Sequence, residues 1–348
     1  MIVFEAIRIL ILFAIAFTFA LFFTPFVMRI LIKLNLRKNN IRDAQEAPIF
    51  NALHKNKVGT PTMGGIIVWG TVIILALLFW GLGSWFDGFS SYLNFVERRE
   101  TYLPLAALLL AALFGFVDDM FGILKKGPKG GGLSMKNRLL LYVGVAAIGA
   151  WWFYAKLGFD VLTVPFLGNI IVGWWYIPIF IFVLTATAFS SNETDGLDGL
   201  AGGIFFFAFG AYTIVSFALG RYDLAAMNAV ILGGLLAFLW FNIYPARFFM
   251  GDTGSMSLGI TLGVVAMLTN TMFFLPFFAM IMVLESLSVI IQVTSKKIRK
   301  KKIFLSAPFH HHFEALGWPE SQVTMRFWII NMVSAIVGLV IFFLARFI

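Results

Sequence analysis

The sequence predicts an all-α, polytopic integral membrane protein with about ten transmembrane helices. Three observations predict it. The 348 residues are 60% hydrophobic and 12% charged, where a soluble domain runs at about 45–50% apolar and about 25% charged. Apolar runs long enough to cross ~30 Å of hydrocarbon recur along the chain. The lysines and arginines are distributed unevenly among the connections between those runs.

Taken in order, the expected spans are 5–28, 63–82, 102–117, 138–157, 172–190, 199–218, 224–241, 254–269, 272–294 and 325–346. The first carries Arg8 and small residues that also suit a signal peptide, but its apolar run is long and a strongly basic stretch follows. The third and eighth are short, and only Thr269-Asn270-Thr271 separates the eighth from the ninth. The connections contain no second domain, so residues 1–348 read as one helical bundle. Gly127 to Gly132 is a flexible loop. The run from Lys296 to Lys302 is a basic juxtamembrane patch suited to anionic lipid.

Charge sets the expected topology. The connections after spans 1, 3, 5, 7 and 9, with their flanks, hold 20 Lys and Arg, and the opposite side holds six. By the positive-inside rule both termini lie outside and the odd-numbered connections face the cytoplasm. The net charge of +9 thus reflects topology, and no nucleic-acid partner is expected. The absence of cysteine excludes disulfides, thiolate catalysis and cysteine metal sites.

Against this apolar background stand Asp118-Asp119, Asp195 with Asp198, and Asp252. All border spans on the side assigned to the cytoplasm. A carboxylate at a membrane boundary is costly and marks a functional site by default, so an active site is expected at the cytoplasmic face. Adjacent helical residues diverge by about 100°, so Asp118 and Asp119 cannot share one role. They sit at a helix C-terminus, where the macrodipole repels them. A bound Mg²⁺, or Lys125 or Lys126, must compensate; a solvated pair of helix-ending acids is the plainer alternative.

Asp195 and Asp198, at i and i+3, would share one face of a helix, with Asn192 a turn earlier. Glycines at 196, 199, 202 and 203 permit close approach of backbone or ligand. An N-cap and helix-packing glycines would explain less of the pattern, since the second aspartate and the asparagine stay unused. After Asn242, Tyr244-Pro245 breaks a helix. Gly251-Asp-Thr-Gly-Ser255 reads as a turn presenting Asp252 and free N–H groups, suited to oxyanions or hard cations, or as a surface turn with a capping aspartate. His310, His311 and His312 diverge too much for a zinc site but suit donors or acid–base groups beside phosphate; a polar loop is the alternative. His54 reads as a loop residue. Lys55, Lys57 and Gly59-Thr-Pro-Thr-Met-Gly-Gly65 lack P-loop spacing, yet backbone and lysine could bind phosphate. Glu285 is the one acid in mid-membrane, either hydrogen-bonded within the bundle or lining a cavity.

Phe116-Val-Asp-Asp119, Asn192-Glu-Thr-Asp-Gly-Leu-Asp-Gly-Leu-Ala201, Phe249-Met-Gly-Asp-Thr-Gly-Ser255, Ala307-Pro-Phe-His-His-His-Phe313 and Gly317-Trp-Pro-Glu320 occur in that order. With Gly59 to Gly65, this set closely resembles the phospho-N-acetylmuramoyl-pentapeptide-transferases of bacterial cell-wall synthesis, from about residue 55 to the C-terminus. The histidine triplet and the Thr-Pro-Thr-Met-Gly-Gly string are specific to that branch. The aspartate motifs are shared with the wider family of polyprenyl-phosphate hexosamine-1-phosphate transferases.

The resemblance implies a ten-helix bundle with outside termini in the bacterial plasma membrane, and a homodimer. It implies Mg²⁺-dependent transfer of the phosphosugar from UDP-N-acetylmuramoyl-pentapeptide to undecaprenyl phosphate, releasing UMP and forming lipid I. Asp252 would hold Mg²⁺ with Asp118. Asp118 or Asp119 would help bind the metal or activate the lipid phosphate, and His310 would join the catalytic set. Lys136, Asn192 and Asp195 would line the nucleotide and diphosphate path. Gly196, Leu197, Asp198 and Phe249 would form the uracil pocket, with Phe249 stacking on the base. Lys57, Thr62, Asn242, His311 and His312 would be further substrate contacts. Two positions depart from the branch: Gly122 stands where it usually has a lysine, and Glu193 where it is usually apolar.

Two rival readings follow from the same residues. A UDP-N-acetylhexosamine:polyprenyl-phosphate transferase would share the aspartates but not the histidine triplet. A cation transporter would need acids deep in the bilayer near half-helix ends, and only Glu285 is deep.

Overall fold

The structure is a computed structural model describing residues 2–37, 57, 59–86, 88–96, 99–127 and 131–347. His54 and Lys55 lie outside the described residues. Long helices dominate, in the order α1 (Ile2–Lys33), α2 (Ile66–Trp85), a short α3 (Phe89–Leu93), α4 (Arg99–Ile123), α5 (Met135–Trp151), α6 (Tyr176–Thr194), α7 (Leu200–Ala218), α8 (Tyr222–Asn242), α9 (Asp252–Leu268), α10 (Leu275–Phe278), α11 (Met280–Arg299), α12 (Phe309–Ala315) and α13 (Glu320–Phe347).

Among the described residues, eight helices are long and apolar enough to cross a membrane. The segment expected as span 9 is bent by 88° between Met272–Phe278 and Met280–Arg299 and makes a ninth if counted as one span. Expected span 8 is α9, a shorter apolar helix of about 26 Å at 1.5 Å per residue. Every residue of α9 from Thr253 to Leu268 is buried, so it forms the axis of the bundle. An all-round apolar helix is stable there because other helices, not lipid, enclose it.

Two expectations need correction. Helix α4 does not end at Asp118-Asp119 but runs on to Ile123. Asp195 and Asp198 do not share a helix face. Helix α6 ends at Thr194, Asp195 is its C-cap, and α7 begins only after Gly199, which has φ +76°; Gly202 and Gly203 do pack the helix, since a Cβ there would lie 2.8 Å from Leu239 Cδ2 and 2.0 Å from Trp328 Nε1. The stretch between α5 and α6 carries a hairpin, in which Val161–Val164 (β1) pairs antiparallel with Gly168–Ile171 (β2). Asn270 at the end of α9 holds this hairpin through Val161 O, Thr163 N and Thr163 Oγ1.

Candidate active site

Close helix packing sets the site. Helix α4 meets the start of α9 at Gly115, where a Cβ would lie 2.3 Å from Asp252 O. Only glycine allows that approach, and it delivers Asp118 and Asp119 beside Asp252. Asp119 Oδ2 accepts from Thr253 N at 3.0 Å. An α4 carboxylate therefore caps the positive end of the α9 dipole. The segment read as a turn with free N–H groups is thus a helix N-terminus, with Thr253 N already bonded to Asp119. Gly251, at φ +74°, completes the junction: a Cβ there would lie 2.6 Å from Asp119 Oδ2 and 2.9 Å from Thr62 Oγ1.

Asp118 and Asp252 meet at Arg138, on the first turns of α5. Arg138 Nε lies 2.6 Å from Asp118 Oδ2, and Nη2 lies 2.9 Å from Asp252 Oδ2. Asp118 Oδ1 accepts from Leu133 N at 2.6 Å. Asn192 Nδ2 donates to Asp252 Oδ1 at 2.5 Å, and Asn192 Oδ1 accepts from Arg138 Nη1 at 3.2 Å. The counter-charge for the aspartates is therefore Arg138 with the α9 N-terminus. Lys125 and Lys126 are exposed and do not form it. Lys136, expected on the phosphate path, is also exposed. It lies two residues from Arg138, about 200° around the helix, on another face.

A second cluster gathers around Lys57. Its Nζ lies 2.7 Å from Asp198 Oδ1 and 2.5 Å from Glu320 Oε1, and 5.7 Å from the centre of the Phe249 ring. Burial opposes charge on the Lys57 ammonium, but Glu320 and Asp198 outweigh it and raise the lysine above its ordinary pKa. Asp198 Oδ2 also accepts from Ala246 N at 2.9 Å, and Asp198 N donates to Glu320 Oε1 at 2.7 Å. Leu197, beside Asp198, is buried.

In the glycine-rich string before α2, the Gly64 and Gly65 amides pair with backbone carbonyls. Gly64 N and Gly65 N donate to Phe249 O and Met250 O at 2.8 and 2.9 Å, and Phe249 N donates to Pro61 O at 2.9 Å. Those amides are spent on pairing two chain segments, and Thr62 is buried. Asn242 likewise serves the scaffold: its Oδ1 accepts from Gly199 N and its Nδ2 donates to Phe248 O.

The histidines divide. His310 is wholly buried against Gly196, where a Cβ would lie 2.2 Å from Nε2. Its Nδ1 lies 3.0 Å from Glu285 Oε2, and its backbone N donates to the same carboxylate at 3.2 Å. Neither ring nitrogen has an aligned hydrogen bond among the described residues. His311 Nδ1 pairs with Glu314 Oε2 at 2.6 Å. His312 turns away: it lies parallel to Phe309 at 6.0 Å, and Nδ1 accepts from Leu305 N. Glu285 is thus hydrogen-bonded within the bundle.

The clusters join through one stretch of chain. Asn192 ends α6 at the arginine, Gly196 carries His310, and Asp198 carries Lys57, with the half-buried Asp195 between them. Aspartates, asparagine, histidine and lysine thus converge at one end of the bundle. Sequence reasoning missed Arg138, Glu285 and Glu320 as members. Glu320 had a signal, since it closes the Gly317-Trp-Pro-Glu320 motif. The two aspartates and Asn192 supply hard oxygen ligands of the kind a divalent cation takes, although no group of three or more His, Cys, Asp or Glu suited to a metal occurs among the described residues.

The Glycosyl transferase family 4 profile matches residues 102–270, which contain the aspartate motifs, Asn192 and Arg138. A Chloroflexus aurantiacus protein named phospho-N-acetylmuramoyl-pentapeptide-transferase is 38% identical over 299 residues, 82% of this chain and 78% of its own. One of that name from Borrelia turicatae is 35% identical over 341 residues, 93% and 92% of the two chains. A third, from Shouchella clausii, is 37% identical over 300 residues, 83% and 85%. At 35–38% identity over more than four fifths of its length, the chain belongs to the phospho-N-acetylmuramoyl-pentapeptide-transferase family.

Proposed function

We infer that the chain transfers phospho-N-acetylmuramoyl-pentapeptide from its UDP-linked precursor to undecaprenyl phosphate, an early membrane step of peptidoglycan synthesis. An oxygen of the lipid phosphate forms a bond to the β-phosphorus of the nucleotide. The bond from that phosphorus to the bridging oxygen breaks, and UMP leaves with the oxygen. The products are UMP and lipid I. The observation that carries this reading is the meeting of Asp118, Asp252 and Asn192 around Arg138.

Both substrates are anions, so the barrier includes charge repulsion and catalysis is mostly positioning and neutralisation. We propose Mg²⁺ as the cofactor. Asp252 and Asp118 would hold it with Asn192 Oδ1, and it would neutralise phosphate charge. His310 brings buried ring nitrogens with no aligned partner among the described residues, and a phosphate oxygen would supply one. Phe249 would stack on uracil beside Lys57 and Asp198. Asp119 acts through the α9 N-terminus, keeping Asp252 in place. The reading puts the site at the cytoplasmic face of a bacterial plasma membrane, with both termini outside and a homodimeric assembly.

The test offers purified protein in nanodiscs radiolabelled undecaprenyl phosphate with each UDP-sugar. Labelled diphosphate lipid and UMP should form from UDP-N-acetylmuramoyl-pentapeptide. Product only from UDP-N-acetylglucosamine would overturn the assignment in favour of the hexosamine branch. Cation flux into liposomes without UMP release would favour a transporter.

A further inference from the structure

Arg138 lies among the oxygen donors named above for the proposed metal. Its guanidinium reaches three oxygens: Asp118 Oδ2 at 2.6 Å, Asp252 Oδ2 at 2.9 Å and Asn192 Oδ1 at 3.2 Å. These are the same hard donors that the proposed metal site draws on. One guanidinium leaves two carboxylates with a net negative charge, whereas a divalent ion would cancel it. Coulomb energy therefore favours the ion wherever both compete for the pair.

The geometry also lets the arginine leave. Its side chain keeps 21% of its surface exposed, against 5% for Asp118 and 12% for Asp252. Each carboxylate also has a partner other than the arginine. Asp118 Oδ1 is pinned by Leu133 N, and Asp252 Oδ1 by Asn192 Nδ2.

We propose that Arg138 is a positioning residue: it holds Asp118 and Asp252 in register as a resident counter-cation and is exchanged for the divalent ion when metal binds. This rests on the metal reading above. A merely structural arginine would leave metal affinity unchanged or lower it on removal. An exchanging one must raise it.

Mn²⁺ binding, followed by electron paramagnetic resonance on the full-length protein in detergent, tests this. Arg138→Gln should bind Mn²⁺ roughly tenfold more tightly than wild type, as removal of a competing unit charge at contact distance requires. Arg138→Lys should fall between the two. Wild-type protein gives a second readout that needs no variant: modification of Arg138 by phenylglyoxal, read by peptide mass spectrometry, should speed up when Mn²⁺ is added. Equal or weaker Mn²⁺ binding by a folded Arg138→Gln protein, or Arg138 modification unchanged by Mn²⁺ that demonstrably binds, would overturn the exchange. No Mn²⁺ binding by any of the proteins would instead overturn the metal reading beneath it.

Discussion

His310 Nδ1 lies 3.0 Å from Glu285 Oε2, with no surface exposed on either side chain. The carboxylate also accepts from the His310 backbone N–H, so Glu285 holds the main chain at the start of α12. Removing the carboxylate leaves the buried His310 backbone N–H without its acceptor. Glu285→Ala should therefore destabilise the protein by about 1–3 kcal/mol. Glu285→Gln, which keeps an acceptor for the His310 N–H, should cost less. Unfolding in mixed micelles measures both, and an Ala variant as stable as the parent would show that the pair does not hold α12.

Gly196 is the floor on which His310 rests. A Cβ there would sit 2.2 Å from Nε2, so Gly196→Ala must push the ring aside. A displacement of about 1 Å at a reacting centre costs on the order of 10²-fold in rate. The expected result is a kcat loss of that size in a protein that still folds. An unchanged kcat would remove His310 from the reaction.

Phe249 presents its ring beside Lys57 Nζ at 5.7 Å. Base–aromatic stacking contributes about 1–3 kcal/mol, so Phe249→Ala should raise KM for the UDP substrate about tenfold with little change in kcat. An unchanged KM would count against stacking.

Lys57 separates two carboxylates, Asp198 and Glu320. Its pKa is raised above the ordinary lysine value, with both acids outweighing burial. The sign is that of a cation gaining partners: the contact is complete below the unfolded lysine pKa and is lost only as pH climbs through the raised folded value. The KM for the nucleotide should therefore show no titration of Lys57 between about pH 6 and 9. Lys57→Gln should raise KM at every pH in that range. A wild-type KM that rises within the range and flattens in Lys57→Gln would contradict this.

Much of this was legible in the sequence. Apolar runs gave the spans because burial in lipid requires them, and the aspartates stood out because charge near hydrocarbon is costly. What failed was facing. Lys136 and Arg138 are two residues apart, and composition alone does not say which side of α5 meets Asp252. Glycine spacing was ambiguous too: at Gly199 it permits a positive φ just before α7 begins, at Gly115 a close approach that positions a helix. The pairing of Gly64 and Gly65 with Phe249 and Met250 joins segments far apart in sequence, so no local pattern announces it. The bend between α10 and α11 was hidden for a similar reason, since an apolar run reads alike whether straight or broken.

Asp252→Asn tests the central claim, that the carboxylates gathered at Arg138 are the reaction centre. The variant keeps the shape and removes one charge. The account predicts that release of UMP from UDP-N-acetylmuramoyl-pentapeptide, measured with undecaprenyl phosphate and Mg²⁺, falls by about 10²–10³-fold, the order lost with a major electrostatic stabiliser, while the melting temperature shifts little. Near-parental turnover in a folded Asp252→Asn protein would contradict it.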